Sequence, residues 1–489
     1  MKYTNPIIPG MYPDPSVCYA DGTYYLVNST FEYFPGVPVF ESKDLINWRQ
    51  IGNCLTRESQ LDLEGCSCSG GVFAPTIRYH EGEFYMITTC MGKNGLKNFY
   101  VKTKDPSSEW SDPVFIEIEG IDSSLFWENG KTYVQYAGFS EIFQVEIEAE
   151  TGKILKGPLK ITNGCGGRDA EGPHMWKRNG YYYLLLAEGG TREGHMVTMM
   201  RGKNIWGPFE PSPYNPVISN KDLGRQPIEC VGHADWIVDE NGNDYLVTLG
   251  TRPIKHKTLL GRETMLSPAY WTEDGWLRSK YGYMPIECEV NINSEQIKEN
   301  SFSLDMNSKV MPLNIISPRK SNKNYYKFEN GILKIKGNGY ILEDGRAALW
   351  ALRQTEFNFQ LLSEIEFYPK NINEEAGITM LVSNDYYMSL FISVREGEKA
   401  IVLRKKVADI VTEKFIRFPN KNESILLKVK GTREKYEFYY DIGNEEFIDW
   451  TDVKHLTVEC ASTPNTGVVG GVYVIGNSEA VIKQFSYRV

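Results

Sequence analysis

The 489-residue chain has no apolar run of about 18 residues, so the sequence offers no membrane-spanning helix. Its opening, Met1-Lys2-Tyr3-Thr4-Asn5-Pro6, has no apolar core of signal-peptide length. Lys and Arg form no sustained basic block, and the formal net charge is -10. That balance argues against a nucleic-acid backbone as partner and favours a neutral or polar small molecule. Cysteine lacks a pattern: nine residues, an odd number, at irregular spacings. Cys66-Ser67-Cys68 has one intervening residue where a zinc knuckle has two or more, and free thiols in a reducing compartment are the simpler account. The expectation is a cytoplasmic protein. Also missing are a Gly-rich phosphate loop leading into a helix, a G-x-S-x-G elbow, and a His partner in register with Cys66 or Cys68.

Long amphipathic helical patterns are absent from the first 250 or so residues, which argues against a (β/α)₈ barrel or a doubly wound sheet there. What is present instead is a recurring unit, a turn ending in Gly followed by a short aromatic and β-branched run. The turns are Asp21-Gly22, Glu81-Gly82, Asn129-Gly130, Asn179-Gly180 and Asn241-Gly242, with marker glycines 60, 48, 50 and 62 residues apart. Asn-Gly and Asp-Gly favour tight hairpins because both residues accept positive φ. Five all-β units of this size predict a five-bladed β-propeller over residues 1–300, in preference to a β-sandwich with many hairpins. The chain is too long for one core. Residues 301–325, with Pro312 and Pro318, read as a connector. Residues 326–489, with strand-like runs at 332–336, 377–382 and 467–475, read as a two-sheet β-sandwich. That second domain suits either a carbohydrate-binding module or a structural domain closing one side of a pocket.

Counting back from the marker glycines places Asp14 and Asp122 eight residues upstream, and Glu171 and His233 nine upstream; the second unit has Ala74 there. If each marker turn closes the first hairpin of a blade, these positions begin the innermost strands and converge around the central channel. Taken singly, each Asp or Glu reads as a solvated or capping residue; the shared register is what singles them out. Asp14 lies between Pro13 and Pro15, and Glu171 precedes Gly172-Pro173, both constrained settings. Two opposed carboxylates are the usual minimum for splitting a glycosidic bond, and a third nearby raises the pKa of the acid. His233 reads as a satisfied interior histidine, a sugar hydrogen-bond partner, or a ligand to an ion or ordered water. A calcium with mostly water ligands would be the hard-cation version. One histidine is too few for a zinc site, and His174 and His195 are not spaced from it as a known cluster. Arg262 either pairs with an acid or uses its rigid fork to orient one and donate to sugar hydroxyls. Phe31, Phe34 and Phe73 lie at or beside the strand starts and suit either loop core or a wall against the apolar face of a sugar.

Longer motifs carry a family resemblance. They include Tyr12-Pro13-Asp14-Pro15-Ser16, Ser69-Gly70-Gly71-Val72-Phe73-Ala74-Pro75, Gly120-Ile121-Asp122-Ser123-Ser124, Glu171-Gly172-Pro173-His174, Gly232-His233-Ala234-Asp235 and Gly261-Arg262-Glu263-Thr264. Over nearly its whole length the chain resembles the family 43 glycoside hydrolases, in particular the two-domain β-xylosidases and α-L-arabinofuranosidases. The resemblance implies an all-β protein, a five-bladed β-propeller followed by a C-terminal concanavalin-like β-sandwich that borders the active site. It implies an exo-acting, inverting hydrolase releasing xylose or arabinose from short xylan-derived oligosaccharides, with no cofactor required. Asp14 would be the general base, Glu171 the general acid, and Asp122 the residue that orients the acid and tunes its pKa. Arg262 would contact the sugar in the cleaved subsite, and His233 would line the floor. Inversion needs room for a water, so the carboxyl separation is expected at about 6.5–9.5 Å. Two-domain members often form dimers or tetramers. Two departures stand out. Ser123-Ser124 replaces the family's common Pro-Ser, and Phe34 or Phe73 stands where xylosidase-like members often have Trp, which shifts weight toward arabinose release or mixed activity. The rival readings are an endo-arabinanase and a non-catalytic glycan-binding propeller.

Overall fold

The computed structural model describes residues 2–290, 295–297, 300–417 and 424–489. The chain divides into two compact units, Met1–Pro253 with Arg262–Ile297, and Ile254–Gly261 with Lys298–Val489.

The first unit is built mainly from five antiparallel sheets of four or five strands, and also holds a two-stranded sheet of Lys2–Thr4 with Glu287–Glu289. The leading strands of the five are Ser16–Ala20, Thr76–His80, Ile121–Glu128, Glu171–Arg178 and Glu229–Val238. Each pairs with the next strand in the chain, and the leading strands pack against one another in cyclic order, the fifth closing onto the first. Any side chain at the start of a leading strand therefore faces its counterparts from the other sheets.

Four of the five marker turns are two-residue hairpins. Ala20 pairs with Thr23, His80 with Glu83, Glu128 with Lys131 and Arg178 with Tyr181. Both central residues have positive φ in each, for example 51° at Asn129 and 71° at Gly130. This is the turn whose twist matches that of the flanking strands, and it explains the Asp-Gly and Asn-Gly signal. The fifth turn is longer: Val238 pairs with Asp244, and the Asp239 carboxylate accepts the Asn241 and Asn243 N–H groups at 2.9 and 2.8 Å. Apolar side chains fill the space between neighbouring sheets, such as Val27, Val39, Ile77 and Met86 between the first and second.

The second unit is a sandwich of an eight-stranded and a six-stranded antiparallel sheet. Inward residues of both, including Leu361, Ile365, Ile378, Met380, Leu427 and Val472, form one apolar core. The short strand Phe302–Ser303 pairs with the last strand, Glu479–Arg488, so the larger sheet takes in residues near the start of the unit's second segment. Among the described residues no helix is long and apolar enough to cross a membrane.

Candidate active site

Irregular backbone at the head of the leading strands aims the polar side chains. The register slips between Ile121 and Ser124, between Glu171 and His174, and twice between Glu229 and Asp235. At each of these slips, and just before the first leading strand, one residue takes a left-handed conformation: Asp14 (φ 53°), Asp122 (57°), Gly172 (57°), and in the fifth sheet Cys230 (55°) and His233 (45°). A bulge of this kind kinks the strand and redirects one side chain out of the alternating pattern. Left-handed φ in non-glycine residues is uncommon, and Asp and His tolerate it better than most. The two offsets of nine have different causes: at His233, itself left-handed, the turn that carries Gly242 is longer. In the fourth sheet the left-handed residue is Gly172, eight before Gly180, and Glu171 stands one place ahead of it. In the second sheet the break is at Phe73-Ala74-Pro75, since Val72 pairs with Cys90 and Thr76 with Ile87 on the same partner strand.

Asp14, Asp122, Glu171, His233 and Arg262 come together. Asp14 and Asp122 are buried and Glu171 is partly exposed. Ser29 donates to Asp14 Oδ2 at 2.5 Å, and Arg262 Nη2 donates to the same oxygen at 3.4 Å. Arg262 Nη1 lies 3.1 Å from Asp14 Oδ1 and His233 Nδ1 lies 3.8 Å from it, yet Oδ1 makes no hydrogen bond within the protein. The segment before Asp14 is fixed by Asn28, which donates to the Tyr12 and Pro13 carbonyls, both at 3.0 Å. The Thr191 hydroxyl accepts from Arg262 Nη1 at 3.0 Å, and the guanidinium lies 5.5 Å from the Phe31 ring centre.

Asp122 links directly to the turn after Glu171, its Oδ2 accepting the Gly172 N–H at 3.1 Å. Gly172 eases this packing: its φ is positive, and a Cβ there would stand 3.1 Å from the His233 ring, a tight contact. Burial pushes the Glu171 carboxyl well above the usual Glu range, and the nearby charges of Asp122 and Asp14 push the same way. Burial also raises Asp122; Asp14 adds to this, while His233 and the Gly172 N–H oppose it. Ser123, in the position of the expected proline, donates to Asn98 Oδ1 at 2.7 Å. Asn98 in turn donates to the Ile118 and Gly120 carbonyls at 3.2 and 3.0 Å, so a hydroxyl tether holds the approach to Asp122.

The three phenylalanines separate. Phe31 and Phe73 form a pair, ring centres 5.8 Å apart, with Phe31 bridged to Val72 through both backbone hydrogen bonds. Gly71 permits this approach; a Cβ there would lie 2.3 Å from the Phe31 carbonyl oxygen. Phe34 belongs to the apolar cluster with Val37, Leu55 and Leu61, and so packs as core.

Several residues to which the sequence reading gave no role lie nearby. Two to four residues further along the leading strands, a second polar layer crosses the ring. Asp235 accepts from Ser16 Oγ and Arg78 Nη1, each at 2.7 Å, and Arg78 Nη2 meets His174 Nδ1 at 2.9 Å. Four of the five sheets contribute to this buried network. Burial opposes the Asp235 charge, but Arg78, His174 and Ser16 together outweigh it and hold the carboxyl below its usual range. Burial lowers His174 to about 3, leaving a neutral ring. His195, fully buried, packs behind His233, where a Cβ on Gly232 would strike its ring. Phe139 is 99% exposed at the tip of the turn following Ala137, the residue paired with Ile121. Its neighbour Ser140 donates to Asp169 at 3.3 Å, two residues before Glu171. Among the described residues no three His, Cys, Asp or Glu side chains are arranged to hold a metal ion.

The family model described as glycosyl hydrolases family 43 matches residues 3–277. The chain belongs to this family. A second family model, a β-xylosidase C-terminal concanavalin A-like domain, matches residues 304–488, which is the sandwich. This family 43 glycoside hydrolase is 36% identical to a non-reducing end α-L-arabinofuranosidase of Bacteroides ovatus, over 98% of this chain and 92% of that one. It is 35% identical to a xylosidase/arabinosidase of Butyrivibrio fibrisolvens, over 97% and 96%. Among solved structures, a Bacteroides ovatus family 43 protein from a xyloglucan locus superposes with a TM-score of 0.96 at 34% identity, covering all of both chains. A xylan β-1,4-xylosidase from Bacillus halodurans superposes at 0.93 with 28% identity, over 99% of this chain and 100% of that one.

Proposed function

We propose that this glycoside hydrolase is an exo-acting, inverting enzyme that removes single arabinose or xylose units from the ends or side chains of short xylan-derived oligosaccharides. We read its five-sheet ring as a five-bladed β-propeller with the carboxylates at one end of the axis. The observation that carries the reading is the convergence of Asp14, Asp122 and Glu171, with Glu171 kept protonated above the ordinary Glu range. Asp14, as carboxylate, takes a proton from a water through its unbonded Oδ1; the water oxygen attacks the anomeric carbon. The bond from that carbon to the leaving oxygen breaks, and Glu171 gives its proton to that oxygen. Arg262 orients Asp14 and donates to sugar hydroxyls, and Asp122 holds the Glu171 turn and sustains the acid's proton.

Phe31 and Phe73 form the wall against the sugar, His233 lines the floor, and Phe34 supports the wall from the core. Phe139 offers a bare aromatic face on the side of Glu171, where the leaving group departs. The names of the Bacteroides ovatus and Butyrivibrio fibrisolvens relatives support arabinose release with or without xylose release. Every proposed step runs through side chains of the chain, so the reading requires no cofactor. A calcium beside His233 would be held mostly by water. None of the nine cysteines is in a disulfide, which supports a reducing, cytoplasmic setting.

The test is product analysis on xylobiose, an arabinose-substituted xylan fragment and linear arabinan, with the anomer followed by NMR. Free pentose of inverted configuration is the expected product. Longer fragments from arabinan would indicate an endo-arabinanase, and binding without turnover a glycan-binding propeller; a retained anomer would overturn inversion. A second prediction concerns Asp122→Asn, which keeps the shape and tolerates the positive φ. Removing this negative charge lets Glu171 lose its proton at lower pH. The alkaline limb of kcat/KM is therefore expected to move toward acid, although the limbs belong to the coupled set rather than to one residue. An unmoved alkaline limb would deny Asp122 its tuning role.

A further inference from the structure

The second unit carries a depression of about 620 Å³, a volume in the range of small-ligand sites. One wall is the strand Glu445–Asp452, which ends the larger sheet and presents Trp450, 51% exposed. Another is the two-residue hairpin between Ile254 and Lys257, whose backbones exchange hydrogen bonds of 2.8 and 3.0 Å. Its tip residues, Lys255 and His256, sit at φ 51° and 63° without a glycine, so the loop holds a turn that its sequence does not favour. The hairpin is anchored to its own unit, with the Val458 N–H donating to the Thr258 carbonyl at 2.9 Å and the Val468 N–H to the Leu259 carbonyl at 3.0 Å. The wall is therefore a built surface.

Its charge runs against that of the chain. The lining has five cations and two carboxylates, Glu434 and Asp452, in a protein of net charge -10. Lys454 pairs with Asp452 at 3.1 Å, and Lys435 pairs with Glu437 at 2.6 Å. Lys255, Lys257 and Arg433 have no acidic partner among the described residues. The Arg433 guanidinium lies 4.3 Å from the Phe357 ring centre, which steadies its fork at the rim. An open indole face suits the apolar face of a sugar ring. Unpaired lysines and an arginine fork suit a carboxylate. The acids at the rim disfavour a doubly charged anion such as phosphate, and carboxylates suit sugar hydroxyls as donors.

We propose that this depression is a second carbohydrate site that takes an oligosaccharide bearing a uronic-acid unit, with a ring on Trp450 and its carboxylate among Lys255, Lys257 and Arg433. It goes beyond the hydrolytic reading and rests on it only for the xylose backbone of the probe.

The experiment is calorimetry on the full chain carrying Glu171→Gln, with excess xylobiose present to fill the carboxylate site. The probes are xylotriose bearing one glucuronic acid and neutral xylotetraose. The acidic probe is expected to bind, to weaken about tenfold when salt is raised to about 0.5 M, and to outbind the neutral probe by about tenfold. Trp450→Ala should abolish the heat, and the double change Lys255→Ser with Lys257→Ser should weaken it about tenfold. The lysine pair is a surface change that keeps the assay decisive if the tryptophan variant misfolds. Equal affinity for both probes, no heat from the acidic probe, or unchanged binding in either variant would overturn the proposal. Hydrolysis of xylobiose, read separately on chains with an intact Glu171, should be the same with and without each variant, so failure of the hydrolase reading gives a different result.

Discussion

Replacing Glu171 by Ala is expected to lower kcat/KM on xylobiose by about 10²–10⁴, or about 3–5 kcal/mol of transition-state stabilisation. The same variant should lose far less on a 4-nitrophenyl glycoside. The reason lies in the leaving oxygen. A sugar alkoxide departs only as it is protonated, and the proposed donor is the carboxyl that burial and two neighbouring carboxylates keep protonated. Nitrophenolate leaves without a proton, so the acid has little to contribute. Equal losses on both substrates would remove Glu171 from the donor role, and full retained activity on xylobiose would do so outright. The pH dependence should change as well. The parent loses activity as pH rises through the raised Glu171 pKa, because the deprotonated form cannot donate; in the variant that limb should flatten on the activated substrate.

The sequence carried more of the frame than of the site's interior. Four hairpins were legible because a two-residue turn with both φ positive admits few residue types, and Asp21-Gly22, Asn129-Gly130 and Asn179-Gly180 are of those types. Glu81-Gly82 was legible only by its place in the series. The polar positions were visible through their offset from those turns, but the bulge that aims them was not. Whether eight or nine residues separate these side chains from their glycine depends on which residue takes the left-handed kink, as at Glu171 and Gly172, and on the length of the turn, as at His233. The Arg78–Asp235 pair, 157 residues apart, was invisible because neither residue departs from an ordinary strand-edge pattern. Phe34 shows a different limit. A phenylalanine beside a strand start satisfies a core and a pocket wall equally, so only its neighbours Val37, Leu55 and Leu61 decide. Thr191 holds Arg262 from the loop Gly189-Gly190-Thr191, a stretch that shares in the family resemblance but does not by itself assign Thr191 a partner.

Asp14→Asn is expected to cost about 10²–10⁴ in kcat, and here the loss should be the same on xylobiose and on the 4-nitrophenyl glycoside. Asparagine is the right substitution because Asp14 sits at φ 53°, where an alanine would add about 1–2 kcal/mol of backbone strain and blur the result. The amide also fills the same space between Ser29 and Arg262, although it cannot return the charge that faces the guanidinium. What it removes is the proposed chemistry. The amide has no charged oxygen to accept the proton of an attacking water, and that attack is required whatever the leaving group. Glu171 and Asp14 are thus distinguished by a crossing pattern: the proposed acid variant depends on the leaving group and the proposed base variant does not. Circular dichroism and the melting temperature report whether the loss is chemical, since an unpaired buried Arg262 would lower stability as well. A correctly folded Asp14→Asn enzyme that kept its activity on either substrate would dismiss Asp14 as the base. One that recovered on the nitrophenyl substrate alone would make Asp14 the donor and reverse the assignment.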